Sequence, residues 1–523
     1  MRWAHALSFS LEMLRPYVEL FARRRLLGAA VIVGVVLSAC SSDGGDQTNG
    51  ATATSTAQAT QRPAGPTADL SEQLTGGQGP FIAAAEPGPS LDDAGYVEHE
   101  YVASGTATTY TSPAPMPPDG RFVITEGVKG EYRTRVLVRR PDSPERFNGT
   151  VIVEWLNVTG GLDAAPDYTH AADEILRGGY AWVGVSAQRV GVEGGDVVVG
   201  VPGVGDLPGM GLKAMDPARY GTLQHPGDGF SYDIFTQVAR ALREPNGSGA
   251  LGDLTAERVL AAGQSQSAFM LTTYINGVQP LTKAFDGFLV HSRAGGSAPL
   301  GEPGVAMDVV AAITGPQAII RTDIEVPVMI VETENDVTSV IGYYPSRQDD
   351  SERIRLWEMA GTAHADTTVV GAIGDTLDCG APINDGPQHF LVKSALRALD
   401  TWVRTGEAPP SAPRLEVDVA SGAPVIRREA NGIALGGIRT PQVDVPVATL
   451  SGEPGSSSPT IICLLLGTTI PFTEERLSEL YESREQYLQS YETAADAAIS
   501  AGFVLEDDRQ AMLDDAQPDV IRE

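Results

Sequence analysis

A short apolar run, Val259-Leu-Ala-Ala262, breaks into Gly263-Gln-Ser-Gln-Ser267 and then into Ala268-Phe-Met-Leu-Thr-Thr-Tyr274. The run reads as a buried strand too short to be a helix, and the segment after the turn has helical composition. Strand, tight turn and helix in direct succession leave Ser265 at the apex. Such a turn lifts a hydroxyl clear of the sheet, and the helix aims its first N–H groups at the point where negative charge would develop. A Gly/Ser turn without chemistry has the same local pattern, so the decision rests on what the chain supplies further on.

The chain has 523 residues, 42% hydrophobic and 20% charged, which is ample for a globular core. Its net charge of −30 argues against nucleic acid and anionic membrane surfaces as partners, since both require basic patches. Three cysteines stand at positions 40, 379 and 463. Cys40 closes an apolar stretch that begins at Leu26 behind Arg23-Arg24-Arg25, the pattern of a secretory leader and short for a membrane span. Leu37-Ser38-Ala39-Cys40 resembles a bacterial lipobox, which implies cleavage before Cys40 and a lipid on its thiol. Residues 1–40 are therefore expected to be a lipoprotein signal, with the mature chain exported and anchored to the cell membrane. Cys379 and Cys463 remain as an even pair in an exported chain, so a disulfide is expected between them.

Residues 41–90 are rich in Gly, Ser, Thr, Ala, Gln and Pro, and read as a flexible tether. Residues 91–412 carry alternating apolar strands and amphipathic helices, as in βαβ units around a parallel sheet. Residues 131–139 alternate polar and apolar side chains like a half-buried edge strand. Buried strands are expected at 150–155, 180–186, 285–291, 326–332 and 353–358, and helices at 164–177, 231–242 and 387–404. Residues 188–229 form a long Gly- and Pro-rich excursion of the kind that is functional or mobile, and residues 295–321 stand where a lid would be inserted. Residues 413–523 read as an extension packed on the core, or else as an independent partner-binding module.

A serine hydroxyl is a poor nucleophile until a base takes its proton and an acid orients that base. Past the strand at 326–332 comes Glu332-Thr-Glu-Asn-Asp336, and past the strand at 353–358 comes Gly361-Thr-Ala-His364. Asp336 is the expected acid because it lies beyond its strand. Glu334 is the rival, and Glu332 still belongs to the strand. His364 is the best placed of seven histidines. The oxyanion donors are expected at the N–H of Gln266 and in the loop after residue 155, at Asn157 or Val158. His225, His291 and His389 lack ligand spacing, so neither a metal nor a cofactor is expected. The glycines of residues 191–211 lack the strand–helix frame of a phosphate loop.

The order serine, acid, histidine and the serine-bearing turn are those of the α/β-hydrolase fold, with Ser267 replacing the last glycine of G-x-S-x-G. Ala261-Ala-Gly-Gln-Ser-Gln-Ser-Ala268, Tyr220-Gly-Thr-Leu-Gln-His-Pro-Gly-Asp228, Gly361-Thr-Ala-His-Ala-Asp366 and Pro382-Ile-Asn-Asp-Gly-Pro-Gln-His-Phe390 together resemble a bacterial family of exported α/β-hydrolase-domain proteins. The resemblance covers the chain from about Tyr96 onward. It implies a serine hydrolase with Ser265 and His364 in the matching roles, and no particular substrate. The expected activity is hydrolysis of a small carboxylic ester. A peptidase or acyltransferase on the same three residues is the alternative, as is a surface binding protein that keeps the fold without turnover.

Overall fold

The computed structural model describes residues 62–83, 88–200, 205–244, 249–455 and 460–522. The leader, Cys40 and the first part of the expected tether lie outside them. Nine strands form one sheet: β1 Asp69–Leu74, β2 Tyr96–Thr111, β3 Thr125–Pro141, β4 Thr150–Trp155, β5 Ala181–Val185, β6 Arg258–Gln264, β7 Gly287–His291, β8 Val328–Thr333 and β9 Ile354–Met359. Their order across the sheet is β1-β2-β3-β5-β4-β6-β7-β8-β9. From β5 through β9 every pairing is parallel, while β1, β2 and β3 join antiparallel.

The parallel strands are apolar along their whole length because both faces of the sheet are covered. Side chains two apart share a face. Val151, Val153, Val259, Ala261, Phe288, Val290, Val328 and Ile330 therefore belong to one core, with Phe235 and Val238 of helix Ser231–Ala241. Ile152, Leu260, Ala262, Leu289, Met329 and Val331 belong to the other, with helices Pro166–Arg177 and Gln388–Thr405.

The structure corrects two expectations at the start of the sheet. The tether expected to run to residue 90 gives way at Asp69 to β1, whose Leu70 and Leu74 are buried. The polar alternation at 131–139 does not mark an edge: β3 lies between β2 and β5, and Arg135 is fully buried. Its guanidinium donates to Glu100 at 3.0 Å, to Asp163 at 2.6 Å and to Ser186 Oγ at 2.9 Å. The alternation was that of a neutralised ion cluster, which has the same period as a solvated face.

Residues 295–321 are not a lid. Their Ala312, Ala318 and Ile320 are buried in the first core, and Ile319 N–H is bonded to Pro118 O. This clamps them to the connection between β2 and β3. The long excursion contains helices Arg189–Glu193, Gly211–Met215 and Pro217–Tyr220. Residues 413–522 share both cores through Leu415, Ile426 and Ile433 on one face and Ala495, Val504 and Met512 on the other. Arg177 and Lys393 of the core both reach Asp508, at 2.6 and 2.9 Å. Cys379 and Cys463 are joined in a disulfide, with Cα atoms 5.3 Å apart.

Arg135→Met leaves Asp163 buried without its cation, and Glu100 with Arg219 alone. The unfolding free energy should fall by about 3–5 kcal/mol, the usual consequence of breaking a buried pair. Urea unfolding measures it, and a loss below about 1 kcal/mol would contradict the assigned pairing.

Candidate active site

The elbow forms as β6 turns into helix Gln266–Thr273, with Ser265 between them at φ 60° and ψ −124°. A non-glycine residue rarely adopts a positive φ, and this one is held by its own N–H donating to His291 O of the neighbouring strand at 2.9 Å. Serine at position 267 is accommodated because Gly263 has no side chain. A Cβ built on Gly263 would lie 2.9 Å from the Ser267 Cβ.

Three side chains from three strand ends meet here. Ser265 Oγ lies 2.8 Å from His364 Nε2, and His364 Nδ1 lies 2.5 Å from Asp336 Oδ1. An ionised carboxylate only accepts, so Nδ1 carries the proton and Nε2 is left to accept from the serine hydroxyl. The other oxygen of Asp336 accepts from Thr333 N–H and Thr333 Oγ1, both at 2.7 Å. Thr333 caps helix Glu334–Thr338 and Asp336 is its third residue, a reciprocal capping box. Burial pushes the Asp336 carboxyl up. The adjoining His364 ring and the hydrogen bonds from His364 and Thr333 outweigh that and hold it below its ordinary value. Gln264 Nε2 donates to His364 O at 2.8 Å and fixes the histidine loop to the elbow strand.

Glu334 is occupied elsewhere. It accepts from Gly361 N–H at 2.7 Å and Gly452 N–H at 3.0 Å, and pairs with Arg428 at 2.8 Å. Its role is to tie the acid loop to the C-terminal extension. Glu332 is fully buried without a hydrogen-bond partner for either oxygen, and burial drives its carboxyl strongly upward.

The N–H of Gln266 opens its helix and so has no intrahelical acceptor. Asn157 drops out as a second donor, because its N–H is used in a backbone bridge to Ala164 O at 2.9 Å. Val158 N–H faces the Gln266 side chain, donating to Oε1 at 3.1 Å, and Thr159 Oγ1 is 3.0 Å from the same oxygen. Sequence reasoning missed this reach of Gln266, and also the part played by Thr333. The Thr333-x-x-Asp336 spacing was a legible capping signal, whereas nothing local announces the side-chain contact of Gln266. His225 and His291 serve structural contacts, to Ala187 O and to Asp167 and Gln388. Among the described residues no cluster of three or more metal-ligating side chains occurs.

Ser265 and His364 open onto a cavity of about 250 Å³ lined by Asn157, Thr159 and Gly160 on one side and by apolar side chains elsewhere. None of residues 295–321 lines it. Its cover comes from Val199 and Pro208 of the excursion, from Val369, Val370 and Ile373, and from Ile462 and Leu465 of the extension.

Asp366, two residues past His364, caps helix Thr367–Val370, and its Oδ2 is buried without a partner. Burial pushes this carboxyl up to about 7 from an ordinary 3.8. A folded pKa above the unfolded one means that the folded state holds the proton more tightly. Stability from this group is therefore greatest below about pH 4 and declines as pH rises to about 7. Asp366→Asn should flatten the melting temperature against pH across that window. Parallel curves for wild type and variant would show that another group titrates there.

The chain was compared with known proteins. A search among curated proteins finds no match to this sequence. Solved structures resemble it distantly. Fungal esterases from Rhizomucor miehei show 13% identity and a TM-score of 0.31, over 60% of this chain and 85% of theirs. A glucuronoyl esterase from Solibacter usitatus shows 10% identity and a TM-score of 0.25, over 57% and 83%. At TM-scores this low no substrate or residue role is carried over from them. A family model described as an alpha/beta hydrolase domain matches residues 60–514. With that match across most of its length, the chain belongs to the alpha/beta hydrolase domain family.

Proposed function

We propose that the protein is a serine esterase. One observation carries this reading: the continuous relay from Ser265 Oγ through His364 to Asp336, at 2.8 and 2.5 Å, with Ser265 and His364 lining an open apolar cavity. His364 Nε2 takes the hydroxyl proton as Ser265 Oγ attacks the ester carbonyl, and Asp336 stabilises the imidazolium that results. The Gln266 N–H donates to the oxyanion, joined by Val158 N–H once the Gln266 side chain has turned aside. His364 then protonates the leaving alcohol. Water deprotonated by the same imidazole releases the acid from the acyl-enzyme. The chemistry is proton transfer and acyl transfer, for which this chain's own side chains suffice.

Export and anchoring through Cys40 belong to the same proposal. They are supported by the leader pattern in the sequence and by the Cys379–Cys463 cystine, a bond that persists in oxidising compartments.

Hydrolysis of p-nitrophenyl acetate and labelling by a fluorophosphonate test the reading together. Ser265→Ala should abolish both. Asp336→Asn should keep the fold and lower kcat by about 10⁴, because the imidazole then takes the wrong tautomer. A folded wild type that neither turns over esters nor takes the label would sink the esterase assignment.

A further inference from the structure

Part of the cavity wall belongs to neither large core. Val199 and Ile462 of the wall form a small apolar cluster with Cys379 and Cys463, against which Val370 and Leu465 pack, and Leu465 also touches the first core. Cys463 adjoins Ile462 directly. The bond joins the segment after the histidine loop to the extension, and both segments supply residues to the wall. Among the described residues no Asp, Glu, Lys or Arg lines the cavity. An anionic group entering it would lose its hydration without gaining a counter-charge, and the chain's net charge of −30 adds to the opposition. At about 250 Å³ the space takes roughly eight water- or methylene-sized groups.

We propose that the apolar group of the substrate seats against this disulfide-containing cluster, so that the site takes neutral esters of compact hydrocarbon acids or alcohols and the Cys379–Cys463 bond, which holds Ile462 in place, sets the depth of the seat. The inference rests on the esterase reading and adds the substrate class to it. The cavity lies open to both halves of an ester, so the acyl chain and the alkoxy chain share the same chemistry here. Ile373, partly exposed at the rim, and Ile462, on the disulfide side, then determine specificity.

The test uses the full chain with two substrate series, p-nitrophenyl esters from acetate to dodecanoate and alkyl acetates followed by titration of released acid. In one series kcat/KM should rise about fourfold per added methylene and fall beyond about eight carbons; the series that shows this identifies the seated half. Mono-p-nitrophenyl succinate should be hydrolysed at least about 100-fold more slowly than the pentanoate ester. Ile373→Trp should move the maximum to shorter chains. Cys379→Ala/Cys463→Ala should move it to longer ones, and reduction of wild type with dithiothreitol replaces that variant if it fails to fold. A flat profile in both series, or succinate turned over as fast as pentanoate, would overturn the substrate class while fluorophosphonate labelling of Ser265 leaves the esterase reading intact. A maximum unmoved by loss of the disulfide would overturn the role given to that bond. Absence of labelling overturns both readings.

Discussion

The constraint behind this structure is the parallel pairing of β5, β4, β6, β7, β8 and β9. Parallel neighbours need a crossover between them, so the carboxyl ends of all these strands emerge along one edge of the sheet, where the ligand sites of open α/β folds lie. Asn157 follows β4, Ser265 follows β6, Asp336 follows β8 and His364 follows β9. Residues 99 and 28 positions apart in sequence thereby come within hydrogen-bonding distance. The site is a consequence of strand direction, and its accuracy comes from local devices at each strand end: the strained serine, the capping box on Asp336, and the Gln264 bond to the histidine loop.

Buried charge joins the remaining parts to that frame. Arg135 links β2 and β3 to Asp163, which follows the loop carrying Val158. Arg428 links the extension to Glu334, and Asp508 links it to Arg177 and Lys393. Such pairs contribute little net stability over apolar packing, but a misplaced partner leaves a charge buried alone at a cost of several kcal/mol. They therefore select one docking of the extension, and that docking brings Ile462 and Leu465 to the cavity. A chain this acidic has carboxylates to spare for the purpose, and Glu334, two residues from Asp336, serves as such a structural tie.

How far the sequence revealed this varies with the range of the interactions. The elbow, the parallel strands and the order of serine, acid and histidine were legible because each has a local signature: period, glycine, strand end. The choice of Asp336 over Glu334 followed from distance beyond the strand. The edge strand Asp69–Leu74 was illegible because two leucines in a polar stretch have no pattern of their own and acquire meaning only against β2. The interior place of β3 was hidden because a buried ion cluster and a solvated face alternate identically. The lid was misplaced for a related reason. Which insertion covers a cavity depends on where the distant extension docks, and no spacing within residues 295–321 records that.

The loop carrying Val158 illustrates a general demand on buried polar groups. A buried backbone N–H must have a partner before substrate arrives, since an unsatisfied buried donor costs about 1–3 kcal/mol. Here Gln266 Oε1 supplies that partner to Val158 N–H, so the resting site is satisfied. On the esterase reading a neutral ester carbonyl replaces one amide oxygen by another weak acceptor and gains little. A tetrahedral oxyanion replaces it by a charged acceptor, whose hydrogen bonds are roughly twice as strong. The exchange is thus nearly neutral for the ground state and favourable for the transition state, which is the difference that accelerates a reaction. A glutamine beside Ser265 fits this requirement better than an aliphatic residue, which would leave Val158 N–H without a partner. It also fits better than a glutamate, whose charge would compete with the oxyanion for the same donor.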